Sequence, residues 1–126
     1  MSQALLAFAS YLGTAIVLLV AFVWLYEKVT PYREFHLIKE NNYAAAITLG
    51  GAMLGFTFPM MASIFYTQSL TEMVLWSAIT GVVQIVVFTV LRDWAKEIEE
   101  GKVAPAIFIA SSSIAVGLLN AVCISH

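Results

Sequence analysis

A chain of 126 residues that is 61% hydrophobic and 11% charged departs from soluble domains, in which about a quarter of residues carry charge, and a lipid environment is the simplest reason. The formal charge of −2 argues against nucleic acid as a partner, because a phosphate-binding surface needs a basic patch. A lone cysteine, Cys123, excludes an internal disulfide, and with no CxxC pair or His-rich cluster nothing points to structural zinc or to a cofactor.

Charges divide the chain into four uncharged stretches, residues 1–26, 41–71, 73–91 and 103–126. Each holds a run of about 20 residues, the length that crosses a hydrocarbon core of about 30 Å as a helix. The pattern predicts an all-α integral membrane protein with four transmembrane helices near residues 5–26, 43–66, 73–91 and 104–124. Helices buried in a soluble fold would need a polar face of helical period, and these segments are apolar nearly all round. The first lacks a basic leader and a small-residue cleavage site, so it is expected to stay in the protein as a first span.

Between the first two spans, Thr30-Pro31 is an N-cap pair with proline in a tolerated first-turn position. A short surface helix is expected to run from there to Glu40, with Tyr32, Phe35 and Ile38 on its apolar side and Arg33, Lys39 and Glu40 towards water. Asn41-Asn42 should end it and cap the second span. After Leu91 the third span is expected to continue helically through Arg92-Asp93-Trp94-Ala95-Lys96-Glu97 until Gly101 stops it. Residues 38–47 and 98–107 align at a constant shift, which suggests two parallel two-helix repeat units, 5–66 and 73–124, related by a pseudo-two-fold axis along the membrane normal.

All six Lys and Arg residues (Lys28, Arg33, Lys39, Arg92, Lys96, Lys102) fall in the first and third connections. The positive-inside rule then places those connections in the cytoplasm and both termini outside. Trp24, Tyr26 and Trp94 at one boundary, and Tyr66 and Trp76 at the other, fit an aromatic belt.

Within the second span, Gly51 and Gly55 form a GxxxG spacing, with Gly50 beside them and Pro59 a turn further on. Small residues four apart let two helix backbones approach closely. Pro59 removes a backbone bond and should kink the helix, which would either leave packing intact or open a gap for ions or water. The fourth span carries a second small stripe, Ala106, Ala110, Ser113 and Gly117, continuing to Asn120, as expected of a face pressed on another helix. In the third span Gln84, with Thr80 a turn earlier, brings an amide to mid-depth, where it needs a hydrogen-bond partner across the bundle or lines a polar path. No span has a charged residue at mid-depth, which argues against a proton pump, voltage sensor or carboxylate-driven carrier. His36 and His126 lie on opposite sides of the membrane by this topology, and no Ser, Thr or acid comes with the base and orienting group that catalysis requires. No enzyme is expected.

The block Tyr26-x-Lys28-x-Thr30-Pro31-x-x-Glu34-x-x-Leu37-Ile38-Lys39-x-Asn41-Asn42-x-Ala44-Ala45, followed by Gly51-x-x-Leu54-Gly55-x-x-x-Pro59, resembles the YjfL-like family of bacterial inner-membrane proteins, a domain of unknown function. The likeness extends weakly through Gln84, Arg92 and Gly117-x-x-Asn120-Ala121-x-Cys123. It implies a bacterial cytoplasmic membrane, four spans and a duplicated two-span unit, and no established activity. Two functions stay open on the sequence. One is a non-catalytic component acting through association with itself or another membrane protein, with Thr30, Pro31, Glu34, Asn41 and Asn42 as a docking segment. The other is a small channel or transporter subunit for ions or polyamine-like solutes, with Gln84, Asn120 and Thr80 along its path.

Overall fold

The computed structural model describes residues 2–30 and 34–124. Four long helices are joined by two short ones: α1 (Ser2–Val29), α2 (Glu34–Lys39), α3 (Tyr43–Thr67), α4 (Leu70–Val90), α5 (Ala95–Glu99) and α6 (Val103–Ile124). The four long helices are each long and apolar enough to cross a membrane. Polarity is arranged opposite to that of a soluble protein. Thr48, Ser63, Ser77, Thr80, Gln84 and Ser113 are buried, while Leu6, Phe8, Phe65, Val82, Val90 and Leu119 face outward. Hydrocarbon solvates the apolar exterior, and the polar groups inside must find partners within the bundle.

The core is the meeting of α3, α4 and α6, with α3 central and packed most extensively on α6. α1 joins through one end. Its buried residues are Phe22 and Tyr26. Phe22 stacks on Phe56 of α3 at 4.4 Å between ring centroids, and Tyr26 meets Phe88 of α4 edge-on at 5.4 Å. Tyr26 therefore departs from the expected headgroup belt. It is buried because the aromatic pocket between α3 and α4 lies at its depth on α1. Trp24, Tyr66 and Trp94 remain outward-facing, as aromatic anchors would be.

The helix ends follow local chemistry. Asn42 caps α3, its Oδ1 accepting from the Ala45 N–H at 3.1 Å. Ser69 caps α4, its Oγ accepting from the Glu72 N–H at 3.3 Å. α4 thus begins three residues before the expected start, and Glu72 falls in its first turn, where an acid is favoured by the helix dipole. The expected continuation of the third span is corrected at its other end. α4 stops at Val90, Arg92–Trp94 form a 3-10 turn, and α5 sets off separately. The Leu91 N–H bonds to the carbonyls of both Val87 and Phe88, tightening the last turn, and the change of direction buries Ala95 and Ile98 under the bundle.

Both elbows on this side of the protein close in the same way. Glu40, Asn41 and Asn42 donate to the carbonyls of His36, Ile38 and Leu37. Glu100, Gly101 and Lys102 donate to those of Lys96, Ile98 and Glu97 at matching positions. Asn41 (φ 68°) and Gly101 (φ 83°) supply the left-handed residue that this helix-ending motif requires. The expected start of the short helix falls on Pro31, Tyr32 and Arg33, which lie outside the described residues. Thr30 bonds back into α1, its Oγ1 donating to the Glu27 carbonyl at 3.1 Å.

Candidate functional site

The small and polar residues singled out in the sequence converge where α3, α4 and α6 touch. On α4 the buried residues Met73, Ser77, Thr80, Gln84 and Phe88 recur at three- and four-residue steps, so they form one face. On α6 Ala106, Ala110, Ser113 and Gly117 are buried. Between them α3 presents Gly51 and Gly55. A Cβ added at Gly51 would lie 2.5 Å from Ala110 Cα, and one at Gly55 would lie 2.5 Å from Gln84 Nε2 and overlap the Ser113 carbonyl. The GxxxG pair is therefore used within one chain, against α6 and α4. Gly50 has nothing within 4 Å and takes no part in this contact.

Gly117 sits against Gly55 so closely that a Cβ would come within 2.6 Å of Gly55 Cα. Pro59 lies inside α3 and is buried. Having no N–H, it leaves the Gly55 carbonyl without its usual donor four residues on. A Cβ on Gly117 would overlap that same carbonyl, so only a glycine lets α6 pack over it. α6 fills the space beside the glycines, so no gap opens there.

The amides of Gln84 and Asn120 are tied across the bundle. Gln84, fully buried, donates from Nε2 to the Ser113 carbonyl at 3.1 Å. Asn120 Nδ2 donates to Thr80 Oγ1 at 3.1 Å. Gln84 Oε1 and Ser77 Oγ are buried with no hydrogen-bond partner among the described residues. Each such atom costs desolvation energy that the other contacts offset.

Asn42 is the principal polar tie at the α2 end. Beyond capping α3, its Nδ2 donates to the carbonyls of Ile98 and Glu99, each at 3.2 Å. Its own N–H closes α2 on Leu37. One residue thus fastens three helices, α3 and α5 through its side chain and α2 through its backbone. Asn41 lies exposed at the turn, Thr30 is buried, and Pro31 lies outside the described residues. His36 pairs with Glu40 on the surface at 3.4 Å, Cys123 is exposed, and His126 is not among the described residues. No group of three His, Cys, Asp or Glu that could hold a metal occurs among the described residues.

Sequence reasoning located Gln84, Asn120 and both small stripes but missed the Ser69-x-x-Glu72 cap, which has a recognisable signature. It also missed the reach of Asn42 to α5, which has no signal in the chain.

The family model described as Domain of Unknown Function (DUF350) matches residues 1–124. The chain belongs to the DUF350 family. Consistent with this, it is 30% identical to the UPF0719 inner membrane protein YjfL of Escherichia coli K12, over 98% of this chain and 96% of that protein. It is 35% identical to the UPF0719 transmembrane protein YshE of Bacillus subtilis, over 57% of this chain and 54% of that one. No solved structure matches. The DUF350 chain is thus a bacterial membrane protein with four membrane-spanning helices, like relatives whose names record a membrane and no activity.

Proposed function

We propose that this DUF350 protein is a non-catalytic membrane component that acts by associating with itself or with other membrane proteins. One observation carries the reading. The amides of Gln84 and Asn120 are pinned, to the Ser113 backbone and to Thr80 respectively, so a single bundle offers no polar route from one side to the other. What it offers to other molecules is its outer surface. The outer half of α1, with Leu5, Leu6, Phe8 and Leu12 exposed, is the least packed part of any long helix and so the most available to a second helix. On the Lys and Arg placement, the α2 and α5 elbows are cytoplasmic and both termini periplasmic. The shared bonding of the two elbows supports two parallel units, 5–66 and 73–124.

Cysteines placed at Leu6 or Gly13 in a Cys123→Ser background should cross-link to a second copy or to a defined partner when native membranes are oxidised, whereas Ser112→Cys should not. Purified protein in liposomes should pass neither ions nor polyamines. Flux that Gln84→Leu reduces would refute the association reading and install the channel alternative, and a chain that forms no adduct from α1 would refute it as well.

A further inference from the structure

Independently of that reading, the surface between α1, α2 and α3 has the composition of a lipid site. A groove of about 340 Å³ runs there, walled by Leu19, Val23 and Trp24 of α1, Phe35 of α2 and Met53 of α3, with Glu27 at one end. A cavity of about 150 Å³ lined by apolar side chains holds a benzene, so this groove has room for a stretch of acyl chain. It lies on the outside of the bundle, since Trp24 and Phe35 are both exposed. Hydrocarbon is therefore its neighbour along most of its length.

The end with Glu27 differs from the rest. α1 has 28 residues, about 42 Å at 1.5 Å per residue, against a hydrocarbon core of about 30 Å, so its last turns reach the headgroups. Trp24 marks that depth, and the Lys28 ammonium lies over its ring at 5.4 Å from the centroid. Glu27 is half-buried in the groove and makes no ion pair among the described residues. An acid at the top of an apolar slot matches an amphiphile whose headgroup carries an ammonium, and Lys28 on the same rim supplies the opposite charge for a phosphate. We propose that the groove seats one acyl chain of a phospholipid with a primary-amine headgroup, the ammonium held by the Glu27 carboxylate.

Trp24 lies in the groove and reports its contents. In a Trp76→Phe, Trp94→Phe background, the protein is reconstituted into vesicles of phosphatidylethanolamine and phosphatidylglycerol in which one or the other carries brominated acyl chains. Brominated phosphatidylethanolamine should quench Trp24 more strongly, with a relative affinity about two- to fivefold higher, the scale of one partly exposed ion pair. Glu27→Gln should equalise the two lipids. Val20→Phe, at an exposed groove position, should reduce the excess without touching the acid. Equal quenching in the parent, a preference that survives Glu27→Gln, or a signal that follows protein-to-lipid ratio rather than headgroup, as a second copy in the groove would give, overturns the proposal.

Discussion

Replacing Gly55 with alanine adds one methyl group at the tightest point of the bundle. The new Cβ would meet Gln84 Nε2 at 2.5 Å and Gln84 Cδ at 2.9 Å and would overlap the Ser113 carbonyl. Ordinary contact requires about 3.5 Å or more between carbon atoms, so α3 must move about 1 Å from α6 to clear the Ser113 carbonyl, and Gln84 must shift as well. Overpacking of this kind costs about 1–3 kcal/mol, and an interhelical side-chain bond in a membrane bundle is worth about 0.6 kcal/mol; less the gain of up to about 1 kcal/mol from helix propensity, they predict a net loss of about 1–3 kcal/mol. Gly50→Ala is the control. With nothing within 4 Å of its new methyl, it should be neutral or stabilising by up to about 1 kcal/mol from helix propensity. Reversible unfolding in mixed micelles by rising denaturing-detergent fraction reads both. Because Gln84 is one of the two groups struck, the double variant Gly55→Ala, Gln84→Ala should cost less than the sum of its parts. If Gly55→Ala and Gly50→Ala unfold alike, the close α3–α6 contact does not hold the bundle together and the packing account fails.

Asn42→Ala should remove the α3 cap, about 1 kcal/mol, together with two bonds to α5. Asn42→Asp should keep the cap and lose only those two bonds, so amide exchange in α5 should quicken in both variants and at the start of α3 only in the first. Ser77→Ala deletes a buried hydroxyl that has no partner among the described residues and should leave stability unchanged or raise it by about 1 kcal/mol, read in the same micelle titration; a clear loss would show that Ser77 Oγ has a partner in the membrane. Reporter fusions after Glu40, Ser69, Gly101 and His126 should alternate inside, outside, inside, outside, and a cytoplasmic carboxyl terminus would overturn the orientation.

The number of spans and nearly all their limits are legible in the linear chain. Crossing hydrocarbon depends on transfer energies summed over about 20 neighbouring residues and on a backbone that satisfies itself locally, and both are properties of a segment alone. The caps are legible for the same reason: Asn42 and Ser69 bond to amides three residues ahead. The tertiary structure alone decided which faces meet. In helices apolar on every side, periodicity does not mark the inward face, so burial of Tyr26 between α3 and α4 and the break between α4 and α5 had no local signal. The glycines announced a close contact without naming its partner. Only the folded bundle shows Gly55 against Gln84 and Ser113, and Asn42 bound to Ile98 and Glu99, because each of these joins residues distant in the chain whose approach is set by the packing of whole helices.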